Sequence, residues 1–284
     1  MDGASRQRSG KLTKMPPLPA PPTETPPTTS VDGREAPVRF AGLTYDRFRA
    51  MAQDPALSSS ERIGYPDAFR RGHEPRLLAD IESKLPALMR PGSTVLDIGC
   101  GCDELALRLI ERCGERGQTL WLVDSPEMLA GLPDAPHLRK IPGRFPVEVL
   151  PALHAGLPGG ADAILCYGVL QVVFLEANPI SFVDDAASLL APGGRLLFGE
   201  VPNHSRLRRF LATEAGRAFH RAYMRTDEDP AVAAFEAAAG RIDDGVLLGL
   251  VARLRGAGLD AFLLPQDPAL PLANRREDLL VGRG

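Results

Sequence analysis

Apolar positions along the chain change texture near residue 94. Before it, Leu77, Leu78, Ile81, Leu85 and Leu88 recur at helical spacing after Pro75, which predicts an amphipathic helix. After it, short and nearly continuous apolar runs alternate with helical patterns. Val95–Ile98 (VLDI), Leu120–Val123 (LWLV), Ala163–Cys166 (AILC) and Arg195–Val201 (RLLFGEV) are the candidate strands. Leu105, Leu109, Ile110 and Cys113 predict one intervening helix, and Ile180, Val183, Ala187 and Leu190 another. Strands apolar on both faces, alternating with helices, predict a parallel sheet covered on both sides.

The first 37 residues stand apart. Pro16 to Ser30 holds seven prolines and four threonines in fifteen residues. Such a segment cannot bury enough apolar surface to offset the entropy of ordering it, so residues 1–37 are expected to be a disordered tether. The remaining 38–284 fit one domain, with 38–90 as a helical cap. The 284 residues carry 33 Lys plus Arg against 36 Asp plus Glu, a net charge of −3, which argues against a general nucleic-acid or anionic-membrane binder. Ala163 to Leu175, the longest apolar stretch, is too short to span a bilayer, and the basic N-terminus has no apolar core of a secretory signal. Four cysteines make no disulfide framework, so the expectation is a soluble, reduced, cytoplasmic protein.

Candidate chemistry concentrates at Val95-Leu96-Asp97-Ile98-Gly99-Cys100-Gly101-Cys102-Asp103. A buried strand there ends in a glycine turn and opens into a helix that Asp103 can cap. Glycines allow close approach of a ligand, and the helix start offers unpaired N–H groups. Asp124, 27 residues after Asp97, ends the next strand, where an acid can accept both hydroxyls of a ribose. The dinucleotide fingerprint is incomplete, because Glu104 occupies its last glycine position, and the Lys and Ser/Thr of a phosphate loop are missing. Cys100 and Cys102 have no second Cys/His pair nearby and read as small turn residues, with no metal implied.

The glycine segment resembles motif I of the class I S-adenosylmethionine-dependent methyltransferases. LWLVDSPEML is similar to that family's second motif, DAILCYGVLQVV to its fourth-strand motif, LLAPGGRLLFGEV to its turn into the fifth strand, and DAFLLPQ with EDLLVG to its closing strand pair. The resemblance implies a Rossmann-like, doubly wound α/β fold. Its sheet would have seven strands, mostly parallel with a closing antiparallel strand, plus N-terminal helices and a helical insert over 203–240. The implied cofactor is S-adenosyl-L-methionine, held by Asp97, Gly99, Cys100, Gly101, Asp124 and Ser125, with Arg144 and Phe145 after the third strand and Tyr167 as a pocket wall. Phe145 reads equally well as core. Two departures from the pattern are Asp103 at the third glycine of motif I and Gln171 where many small-molecule members carry His.

Asn203 to Arg225 holds six arginines and one acid. It reads either as a solvated helix face or as a basic lid over an anionic substrate. On the second reading Gln171, Asn203, Arg206, Arg209 and His220 contact substrate; Glu200, His204 and His220, in that order, are the candidate general bases. The acceptor is then a small, anionic molecule, with a sugar or nucleotide sugar suggested by a resemblance of IGYPDAFRRG and LANRREDLLV to bacterial surface-sugar methyltransferases. The alternatives are an RNA or protein methyltransferase and a non-catalytic S-adenosylmethionine-binding protein; a nicotinamide oxidoreductase is disfavoured by the incomplete fingerprint.

Overall fold

The computed structural model describes residues 43–232 and 241–284. The proline-rich segment and the end of the 203–240 insert lie outside the described residues. The described chain opens with α1 (Tyr45–Ala52), α2 (Ser59–Arg62), α3 (Asp67–Arg70) and α4 (Glu74–Lys84). Thr44 caps α1, and Ser58 and Glu61 close a reciprocal capping box on α2, so these short helices start where the sequence supplies side-chain oxygens. The helix predicted through Leu88 stops at Lys84. Pro86 offers no N–H and starts a separate 3-10 turn, Pro86–Met89, which still buries Leu88.

Then β1 (Thr94–Ile98), α5 (Glu104–Glu115), β2 (Thr119–Asp124), α6 (Pro126–Ala130), β3 (Leu138–Pro142), α7 (Leu150–Gly156) and β4 (Ala161–Tyr167) alternate. They are followed by α8 (Leu170–Glu176), α9 (Pro179–Ser188) and β5 (Leu190–Pro202). The insert forms α10 (His204–Leu211) and α11 (Glu214–Met224), and α12 (Asp244–Gly256), β6 (Asp260–Pro265) and β7 (Arg276–Gly282) complete the chain.

The seven strands form one sheet in the order β3-β2-β1-β4-β5-β7-β6, with β7 antiparallel to both its neighbours. Alternation within each strand feeds two cores. Leu96, Ile98 and Ile164 pack with Phe182, Leu247 and Leu250 on one side, while Val95, Leu120 and Leu165 meet Leu77, Leu105 and Leu109 on the other. The strand order reverses between β1 and β4, and a crevice opens there at the carboxyl ends of the strands, where open α/β sheets take ligands. No described helix is long and apolar enough to cross a membrane.

Candidate active site

The crevice is built outward from the glycine turn after β1. Gly99 and Gly101 have φ of +73° and +64°, a conformation side-chain-bearing residues rarely adopt. A Cβ on Gly99 would lie 2.5 Å from Val169 Cγ2, and one on Gly101 would lie 2.8 Å from Ile63 Cγ2. The two walls of the crevice therefore close on bare backbone at these two places. Asp103 caps α5 by accepting the Ala106 N–H at 3.3 Å, which aims the start of that helix at the crevice.

Asp124 ends β2 beside this turn. Its Oδ2 accepts the Gly101 N–H at 2.8 Å and its Oδ1 the Ser125 N–H at 2.7 Å. Burial raises its carboxyl to about 6, against the pull of these two N–H groups. Asp97 is raised well above the carboxylate range, first by burial and then by the charges of Asp124 and Asp103.

One end of the cleft is apolar and the other polar. Phe145 packs edge-on against Phe182 with centroids 5.1 Å apart, beside Val172 and Val173. Over that end, the Tyr45 N–H donates to Glu176 Oε2 at 2.8 Å, and the Arg144 guanidinium lies 5.3 Å from the Tyr45 ring. At the polar end Arg70, 2 % exposed, donates to Asp103 Oδ2 and Glu200 Oε2, both at 3.1 Å. Its guanidinium is 4.5 Å from the Tyr65 ring centroid and 5.5 Å from that of Tyr167. Burial opposes its charge, but the two carboxylates outweigh burial and hold its pKa up. The cleft encloses about 1090 Å³ counting its open mouth.

The donor set suits S-adenosylmethionine. Asp124 keeps free lone pairs for a ribose diol, the positive-φ glycines admit a close ligand, and the Phe145 end is apolar enough for an adenine. With Asp97 pushed toward its neutral form, Asp103, Asp124 and Glu176 against Arg70 and Arg144 leave a small acidic excess suited to a sulfonium.

Of the residues singled out in the sequence, Asp97, Gly99, Cys100, Gly101, Asp124, Arg144, Phe145 and Tyr167 line this cleft. Ser125 stands behind it, capping α6 while its N–H fixes Asp124. The expected substrate contacts are placed elsewhere. Gln171 folds back, its Nε2 donating to Gly168 O at 2.6 Å. Asn203 caps α10 and donates to Asp244 and Glu277. Arg206 donates to Ala273 O at 2.9 Å and pairs with Glu277 at 3.2 Å, while Arg209 is paired with Asp244. His204 meets Arg241 at 3.1 Å, His220 sits on α11, and Glu200 is buried behind Arg70. In the structure α10 is docked on carboxylates of α12 and β7 through Arg209 and Arg206, and Arg217 and Arg221 of α11 pair with Glu214 and Asp229.

The N-terminal helices and their connections line the cleft instead, through Tyr45, Phe48, Ile63, Tyr65 and Arg70. Sequence reasoning missed all five. The segment Ile63–Gly72 stands out in the sequence, but nothing local tells Arg70, buried, from Arg71, exposed.

Glycine turn, second-strand acid and strand order together define a class I S-adenosylmethionine-dependent methyltransferase. A family profile described as a methyltransferase domain matches residues 69–231, and the chain belongs to that family. Among solved structures, the plantazolicin methyltransferase BpumL in complex with SAH and a monoazolic desmethylPZN analog is 13% identical, over 84% of this chain and 95% of that one, at a TM-score of 0.51. The plantazolicin methyltransferase BamL with SAH and a triazolic analog gives 13%, 84%, 96% and 0.50. The N-methyltransferase NodS from Bradyrhizobium japonicum WM9, in complex with S-adenosyl-L-homocysteine, gives 15%, 84%, 97% and 0.48. No curated protein matches the chain. At these identities the likeness to solved structures is one of fold.

Proposed function

We propose that this enzyme transfers the methyl group of S-adenosylmethionine to a small-molecule acceptor that enters at the Tyr65–Arg70 end of the cleft. The observation that carries the reading is the convergence on one cleft of the glycine turn, Asp124 and the Arg144–Phe145 corner, closed over by Tyr45, Phe48 and Ile63. Asp124 accepts the ribose hydroxyls, Gly99 and Gly101 give backbone access for the amino-acid tail, and Phe145 with Val173 bounds the adenine.

When bound, the cofactor supplies an electrophilic methyl whose leaving group is a neutral thioether. The protein's work is therefore orientation and exclusion of water, and near-attack positioning can supply roughly 7–11 kcal/mol of the barrier. Glu200, paired with Arg70, and His204, beside Arg241, are not among the cleft-lining residues, and this reading gives neither a general-base role. The covered cleft favours a small molecule over RNA or a folded protein, and the arginines Arg206 and Arg209, already paired, add no free phosphate-binding patch. Residues 38–284 act on this reading as one methyltransferase domain and 1–37 as its tether. Release of S-adenosylhomocysteine over a panel of small hydroxy, amino and carboxylic acceptors tests it. Binding of S-adenosylmethionine without methyl transfer to any acceptor would favour the non-catalytic alternative.

A further inference from the structure

Buried donors without an acceptor gather at one side of the sheet's ligand edge. Arg276 Nε and Arg275 Nη2 are buried without a hydrogen-bond partner, and the Tyr65 hydroxyl, beside the Glu200 carboxylate, has none within 3.5 Å. β7 runs antiparallel, so its first residue, Arg276, lies opposite Pro202, at the same edge as the ends of β4 and β5. Arg276 Nη1 donates to the Glu200 carbonyl at 3.0 Å, directly behind Arg70. The Tyr65 hydroxyl presses on the Gly168 turn after β4, where a Cβ on Gly168 would lie 2.8 Å from it. Arg275 Nε reaches Asn274 Oδ1 at 3.0 Å, and its guanidinium lies 5.5 Å from the Phe219 ring. Phe219 stacks on Tyr223 at 5.8 Å, and Tyr223 lies 6.2 Å from Phe69, next to Arg70 in α3. A row of aromatic rings thus runs from α3 across α11 to Arg275.

These two arginines differ from the others nearby. Arg70, Arg206, Arg209, Arg217 and Arg221 each hold a carboxylate, whereas among the described residues neither Arg275 nor Arg276 forms an ion pair with one. Burial, and then the neighbouring Arg276, lower the pKa of Arg275, the signature of a cation lacking its counter-charge. Adjacent like charges, partly desolvated and with donors left over, are costly unless an anion joins them. A guanidinium presents its donors in the planar fork that fits a carboxylate or phosphate.

We propose that Arg275 and Arg276, with the Tyr65 hydroxyl, form the recognition site for an oxyanion, carboxylate or phosphate, carried by the methyl acceptor. Its apolar body lies along Phe69, Tyr223 and Phe219, and its nucleophile points back past Gly168 toward the cofactor's methyl. This inference rests on the methyl-transfer reading and narrows its substrate class to acids; it moves the anion contact from the insert's paired arginines to the start of β7.

The test uses the full chain saturated with S-adenosylhomocysteine, titrated by calorimetry with inorganic phosphate in one arm and succinate in the other. At least one anion is expected to bind at one site. Arg275→Gln and Arg276→Gln should each weaken it by about tenfold or more, while the affinity for S-adenosylhomocysteine stays within about twofold. Arg276 also supports the Glu200 carbonyl, so Tyr65→Phe, which removes one hydroxyl and no packing, is the second probe; it should weaken the anion without lowering the melting temperature. Arg217→Gln, on the insert, should change nothing. If S-adenosylhomocysteine binds but neither anion does, or if the anion binds the arginine variants as well as the parent, the oxyanion site is wrong and the methyl-transfer reading stands. If S-adenosylhomocysteine itself does not bind, that reading fails first and takes this one with it.

Discussion

Two helical additions flank the sheet of this protein, and they put their arginines to different uses. The insert α10–α11 is the more charged, yet Arg206, Arg209, Arg217 and Arg221 all sit on carboxylates. The N-terminal helices look plainer in sequence but send Tyr45, Phe48, Ile63, Tyr65 and Arg70 onto the cofactor cleft. The difference shows that the number of charges in a segment says little about its role. What matters is how many of those charges the rest of the fold has already neutralised, and how deep each one lies.

The sharpest way to break that contrast is at Arg70. Arg70→Ala strands Asp103 and Glu200 in the interior and is expected to destabilise the fold by ~3–5 kcal/mol, read by denaturant unfolding. A loss below ~1 kcal/mol would mean the buried triad is not formed. Arg70→Lys should recover only part, since an ammonium cannot fork between the two carboxylates.

A second effect, smaller and confined to binding, follows from Asp124. On the proposed reading its ionised form accepts the ribose hydroxyls, and burial raises its carboxyl to about 6. Affinity for S-adenosylmethionine should therefore be full above that value and fall as pH drops from 7 to 5, with the fall abolished in Asp124→Asn. A flat profile in the parent protein would place the diol on another group.

The insert gives the smallest effects. Arg209→Gln removes an exposed pair and should cost less than ~1 kcal/mol of stability, with cofactor affinity unchanged. A large loss of cofactor affinity would restore α10 as part of the site. Deleting residues 1–36 should leave melting temperature and cofactor affinity unchanged; a fall in either would show that the segment docks on the core.

The same contrast explains how far the sequence could be read. The turn at Gly99–Asp103 and the acid at Asp124 are legible because strand, glycines and cap are contiguous, so local chemistry determines them. β3 was not legible as a strand: Leu138–Pro142 carries Arg139 and Lys140 and lies at the sheet edge, where only Leu138 is buried. Arg70 was not legible either, since its partners lie 33 and 130 residues away. Arg206 and Arg209 misled for the same reason, because Glu277 and Asp244 are 71 and 35 residues distant. Local patterns revealed the half of the site made by one turn, and long-range ion pairs decided the rest.

On the proposed reading this cleft holds S-adenosylmethionine with Asp124 on its ribose. Titrating S-adenosylmethionine calorimetrically into the full chain and into Asp124→Ala tests it directly. One site per chain is expected in the parent protein and an affinity about ten- to hundredfold weaker in the variant, the loss of about 1.5–3 kcal/mol expected for hydrogen bonds to a charged acceptor. No binding to the parent protein, or equal affinity in both, would contradict it.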